Sequence, residues 1–74
     1  MKLEWEQVNW TTLNAKGTDC REYKIFAVNP LSETNNDIIL QKYAIASLQR
    51  EQRFPNNNVA AAKARAQVWE NDER

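Results

Sequence analysis

From Phe54 onward the chain reads FPNNNVAAAKARAQVWE, and after Pro55 no glycine or proline interrupts it. Alanine, lysine, arginine and glutamine favour helix, Pro55 suits the approach to a helix start, and an asparagine at 56 or 57 can accept a hydrogen bond from the first-turn amides. Val59, Ala62, Ala66 and Trp69 recur at spacings of three, four and three, which places them on one stripe. The pattern predicts one helix over roughly 57–70 that closes a small domain. Its small alanines allow a close approach to a sheet, with Trp69 covering the edge. Ala61, Arg65 and Val68 fall elsewhere and face outward, wholly or in part.

The upstream part changes period. Leu3 and Trp5 alternate with Lys2, Glu4 and Glu6, as in a strand with one buried face. Val8, Trp10 and Thr12 then fall on the opposite parity, so a bulge near residues 7–9, or two short strands over 2–8 and 9–15, must reconcile them. Residues 14–19 form the clearest turn, with the chain's only glycine, Gly17, supplying positive φ between Asn14 and Asp19. Residues 20–28 then read as a central strand, with Tyr23, Ile25 and Ala27 on one face, Phe26 and Val28 on the other, and Cys20 half-buried. Asn29 and Pro30 end it, and a polar connection runs to Asp37. Residues 38–48 form a third apolar segment whose β-branched and aromatic content favours a strand, with helix the alternative from composition. The stretch QREQR then serves as a polar connection delivering Phe54 to the core. The expected fold is α+β in a single domain over residues 1–74. A three- or four-stranded antiparallel sheet within about 1–50 is packed by the one helix, and a short frayed tail follows.

Composition narrows the functions open to such a chain. Seventy-four residues give a core that is barely sufficient, so a partner or a second copy would help to stabilise it. Hydrophobic residues at 42% are ordinary for a folded domain. Ten basic and ten acidic residues give zero formal charge, which argues against binding nucleic acid through bulk charge. Residues 1–39 carry four Lys/Arg against six Asp/Glu, and residues 40–74 six against four, so any basic face is small. There is no histidine and one cysteine, Cys20, which excludes an intramolecular disulfide, a thiolate–imidazole zinc site and nucleophile–histidine catalysis. Paired carboxylates remain, Glu4 with Glu6 and Glu70 with Asp72 and Glu73, but they read as a solvated strand face and tail because nothing apolar surrounds them. No cofactor, metal or enzymatic activity is expected. Neither a membrane span of about 18 apolar residues nor a signal-peptide segment is present, so a cytoplasmic location is expected. Asn9-Trp10-Thr11 matches a glycosylation sequon by chance.

Trp5, the turn Ala15-Lys16-Gly17, Tyr23 and Ile25, the Phe54-Pro55 entry and the run Ala62-Lys63-Ala64-Arg65-Ala66-Gln67 together resemble small proteins of tailed bacteriophages and prophages. Such proteins typically join three or four antiparallel strands to one helix. The helix entry here differs, with Asn56-Asn57-Asn58-Val59 standing where a Thr-x-Glu-Glu type start is usual. No site residues come with the resemblance. It implies a bacterial-host setting in which small inhibitors and adaptors of host or defence proteins are common, of anti-CRISPR or anti-restriction type.

Three tryptophans, two tyrosines and two phenylalanines exceed what a one-helix core easily buries, so some aromatics should mark a contact surface, with all three tryptophans serving the core as the alternative. Trp10 and Tyr43, with Arg50, Arg53 and Arg65 as polar neighbours, are the candidate partner-binding residues. The expected partner is a host or defence protein. Two other readings stay open. One is a nucleic-acid module using Lys42, Arg50, Arg53, Lys63 and Arg65 on phosphates; the other is a structural protein that assembles with itself.

Overall fold

A computed structural model of the chain describes residues 2–28 and 36–72. Five strands, β1 (Trp5–Asn9), β2 (Thr12–Lys16), β3 (Arg21–Ala27), β4 (Ile38–Ala44) and β5 (Ser47–Phe54), form one antiparallel sheet in chain order, and the helix α1 (Val59–Asp72) follows. The α+β architecture and the central place of residues 21–27 agree with the sequence reading, but the sheet has five strands rather than three or four. Two strands occur where a bulge or two short strands over 2–8 and 9–15 were expected, but the first starts only at Trp5; the parity slip is a bulge, since the β1–β2 register shifts between Gln7 and Asn9.

The extra strand comes from a turn that carries no turn signal. Ile45 and Ala46 both take positive φ, 52° and 61°, between the paired residues Ala44 and Ser47. That is the backbone of a two-residue hairpin loop, which ordinarily selects Asn-Gly or Asp-Gly. A β-branched residue in this region is strained, and Ile45 is also 82% exposed. The stretch QREQR, expected as a connection, is therefore strand, part of β5. Its polarity reflects an edge position, where charged side chains blunt edge-to-edge pairing.

Pairing register sorts the side chains by face. Leu13, Ala15, Tyr23, Ile25, Ile38, Leu40 and Phe54 point toward the helix, where Ala62, Ala66 and Trp69 meet them, and Leu3 completes the core. Val59 packs against this core from the side, so the expected stripe does face the sheet. Thr12, Asn14, Lys24, Phe26, Ile39, Gln41, Tyr43, Glu51 and Arg53 lie on the opposite face. That face is cross-linked by polar contacts: the Tyr43 hydroxyl donates to Gln41 Oε1 at 2.7 Å, Gln41 Nε2 donates to Glu51 Oε1 at 2.8 Å, and Lys24 Nζ stands 5.3 Å from the Tyr43 ring centre.

Several local expectations are corrected. Cys20 is exposed, with φ 65°, in the β2–β3 turn rather than half-buried in a strand. Positive φ in that turn belongs to Asp19 and Cys20, and Gly17 is not in that region. The helix begins two residues later than expected: Asn58 is the cap, its Oδ1 accepting from Ala61 N at 3.1 Å. Asn56 and Asn57 instead make the left-handed bend before it, with φ of 58° and 50°. Asparagine tolerates this region better than most residues. Most of the expected polar connection, residues 29–35, lies outside the described residues. Among the described residues, no helix is long and apolar enough to cross a membrane.

Candidate partner-binding surface

The helix runs from one end of the sheet to the other, and the two ends are built differently. At the end holding the β2–β3 and β4–β5 turns, Glu70 is 4% exposed, not part of a solvated tail as its sequence position implied. Its Oε2 accepts from Thr18 N at 3.0 Å and Thr18 Oγ1 at 2.6 Å, while Oε1 accepts from the fully buried Tyr23 hydroxyl at 3.0 Å and Arg21 Nη1 at 3.3 Å. Burial alone would raise the Glu70 pKa. The hydrogen bonds from Thr18, Tyr23 and Arg21 outweigh it and hold the carboxyl below its ordinary value. Gly17 completes this clamp, because a Cβ there would stand 2.3 Å from Glu70 Oε1 and 3.0 Å from the Tyr23 ring. The glycine serves close approach, not turn geometry.

At the opposite end, the β1–β2 hairpin turns through Trp10 and Thr11. Asn9 Oδ1 accepts from Thr11 N at 3.0 Å and from Thr11 Oγ1 at 2.9 Å, and Gln7 Nε2 donates to Asn9 O. This Asx-type turn fixes the backbone on both sides of Trp10. The Asn9-Trp10-Thr11 pattern that matches a sequon thus has a structural use. The Trp10 side chain is 74% exposed and Val8, at the bulge beside it, is 59% exposed.

Between this tip and the helix start lies an open cleft of about 290 Å³. Trp10, Leu13, Ile25, Ile38 and Val59 give it an apolar wall; Gln7, Asn36, Asp37 and Asn57 add polar groups. Backbone bonds hold its rim, with Asn57 N donating to Asn36 O at 2.6 Å and Ala27 N to Thr11 O at 3.1 Å. An exposed aromatic on a braced turn beside an apolar recess suits capture of a partner side chain.

The five candidate residues do not converge. Trp10 sits at the cleft end, and Tyr43 is half-buried on the helix-free face near the clamp end, engaged with Gln41 and Lys24. Arg50 lies on the helix side, its guanidinium 5.6 Å from the Trp69 ring centre. Arg53 Nε pairs with Asp37 Oδ2 at 3.1 Å, and Arg65 is exposed on the helix. Lys42, a candidate phosphate contact, is 4% exposed beneath the helix, where a phosphate cannot reach it.

The cleft and the Glu70 clamp escaped the sequence reading. The cleft joins residues from β1 through α1, and only the fold assembles it. For the clamp one signal existed: a lone glycine can mark close approach as well as a turn. No family model, curated protein or solved structure matches the chain.

Proposed function

We propose that this chain is a non-enzymatic protein-binding module whose contact surface is the Trp10 tip together with the cleft behind it. The observation that carries the reading is Trp10 itself: a large aromatic, 74% exposed, on a turn braced by Asn9 and Thr11. Holding it out in water gains nothing for the fold, whereas a pre-ordered tryptophan loses little entropy on docking. In the setting its sequence resembles, the partner is a host or defence protein. A small module seated on such a protein would inhibit it by occlusion.

The distribution of cations favours this reading over nucleic-acid binding. Lys42 is buried, Arg50 lies over Trp69 and Arg53 is paired with Asp37, so three of the five candidate phosphate contacts are already engaged within the fold. Glu70 is committed to the clamp with a lowered pKa, which suits a structural anion and not a proton-transfer group.

The test is a pair of quantitative pull-downs from a bacterial host lysate, with the native chain and Trp10→Ala at matched folding. A partner held through Trp10 should be depleted roughly 30-fold in the variant, the loss expected for a hot-spot tryptophan of about 2 kcal/mol. Equal recovery of the same proteins by both would remove Trp10 from the interface. Titration with random duplex and single-stranded nucleic acid should give weak binding at physiological salt. Tight binding that collapses by about 10³–10⁵-fold between ~50 and ~200 mM salt would instead support the phosphate-binding alternative.

A further inference from the structure

We propose that the cleft also receives the β4–β5 hairpin tip of a second copy, so that Ile45 of one chain seats behind Trp10 of the next and the chain associates with itself head to tail. Ile45 occupies a turn that suits other residues. With Ala46 it holds φ of 52° and 61°, where a β-branched side chain is strained, and it is 82% exposed. Such a turn favours Asn-Gly, and an isoleucine left in water contributes no burial to the fold. Strained residues concentrate where a protein binds or switches.

Tip and cleft match in size, chemistry and place. A dry apolar cavity of about 150 Å³ admits benzene. The cleft, at about 290 Å³ with an apolar wall that includes Trp10, Ile38 and Val59, therefore has room for the isoleucine side chain and the Ala46 methyl group. The turn also brings peptide groups that need partners. Ile45 N donates to Cys20 O at 3.4 Å, but Ala46 N and the Ile45 and Ala46 carbonyls make no backbone hydrogen bond among the described residues. Asn36 and Asn57 line the cleft with side-chain amides that both donate and accept. Ile45 and Trp10, at 82% and 74%, are the most exposed large hydrophobics among the described residues, and one head-to-tail contact removes both from water.

A second copy is the occupant that these features select. The strand β4 runs from Ile38 in the cleft to Ala44 beside the turn, so tip and cleft lie at its opposite ends and one chain cannot fill its own cleft. The formal net charge is zero, so copies meet without overall repulsion. The contact is heterologous: it joins different surfaces of two copies and leaves a tip and a cleft for further copies. Self-association competes with a host partner for the cleft, and neither requires the other.

Sedimentation velocity of the purified chain from about 10 µM to about 1 mM should show mass rising with concentration. Ile45→Asn/Ala46→Gly, whose new residues suit the turn, and Trp10→Glu, at an exposed position, should each weaken association on the order of tenfold or more. An equimolar mixture of the two variants should recover it as a 1:1 complex, because the first keeps a cleft and the second keeps a tip. A nitroxide on the exposed Cys20 of one copy, beside the Ile45 turn, should broaden amides of residues 10–13 and 57–59 in an isotope-labelled Cys20→Ser copy. Mass that stays monomeric across the range, association unchanged in Ile45→Asn/Ala46→Gly, a mixture that does not recover, or broadening at β5 instead of the cleft would overturn the proposal. Loss of host proteins from the lysate pull-down with Ile45→Asn/Ala46→Gly would also overturn it, by giving the tip to the host partner. Because sedimentation uses the purified chain alone, its failure is distinct from failure of the Trp10 pull-down.

Discussion

The two ends of the sheet solve the same problem, how to finish a small single-helix core, in opposite ways. At the clamp end, Glu70 from the helix reaches under the β2–β3 turn and meets donors from Thr18, Arg21 and Tyr23, so a buried charge is satisfied on every side that contacts it. At the cleft end, the helix start leaves a recess of about 290 Å³, and the most exposed tryptophan stands beside it. A buried carboxylate with matched donors specifies one position of helix against sheet. An unfilled recess with a braced aromatic specifies nothing internally and leaves surface for something else. On the proposed reading, the contrast separates stability from binding in a domain this small.

Substitutions at the clamp end should have the largest effects. Glu70→Ala leaves the buried Tyr23 hydroxyl and Arg21 without their acceptor and should cost about 3–5 kcal/mol, as should Trp69→Ala, which empties the neighbouring core position. Either loss rivals the net stability of roughly 3–5 kcal/mol expected at this size. Urea titration checks both. If the Glu70→Ala midpoint stays with the parent, the hydrogen-bond set does not carry the end. Gly17→Ala should cost less, about 1–3 kcal/mol, because Glu70 must give way to the new methyl group.

The same end should respond to acid. The folded pKa of Glu70 is lowered from the ordinary value of 4.5, so the stability its ionised form contributes is fully present above that value. It is lost as pH falls through the folded pKa, when the carboxyl must protonate. Unfolding free energy of the native chain should therefore fall more steeply with acid, from roughly pH 5 downward, than that of Glu70→Gln. Parallel curves for the two proteins would assign the acid response to other carboxylates.

A stabilising change is available beside the clamp. Ile45→Asn with Ala46→Gly fits the left-handed backbone of the β4–β5 turn and should gain about 1–2 kcal/mol. That corresponds to a rise in Tm of roughly 4–8 °C per kcal/mol, measured by thermal melting. An unchanged or lower Tm would mean that Ile45 is held by something other than turn geometry. The smallest effect on stability belongs to the other end: Trp10→Ala should shift the unfolding free energy by no more than about 0.5 kcal/mol. A loss of 2 kcal/mol or more would make Trp10 part of the fold and erase the difference between the ends.

Much of the architecture was legible because hydrophobic period is a local property. Tyr23 and Ile25, then Ile38 and Leu40 alternate as half-buried strands, and Val59, Ala62, Ala66 and Trp69 recur at helical spacing, whereas Leu3 reaches the core from outside β1. The slip near Val8 was readable as a bulge for the same reason. The fifth strand was hidden because Ile45-Ala46 turns the chain without Asn, Asp or Gly, so the apolar run appeared to continue and QREQR looked like a linker. Of the candidate site, Trp10 was placed at a surface position, but the sequence could not separate it from Tyr43, which cross-strand contacts hold against the sheet.

The sequence by itself determined the class of the fold, one helix after an antiparallel sheet, together with the residues of the helix that face it. It also set the balanced charge and the scarcity of catalytic side chains. Only the tertiary structure decided what individual polar residues do. Glu70 lies 52 positions from Thr18 and 47 from Tyr23 in the chain, and no local pattern distinguishes a carboxylate buried by such partners from one left in water. The cleft is likewise a product of register and docking. Periodicity fixes which face of an element is apolar, whereas the partners that a side chain meets depend on how distant elements are laid together.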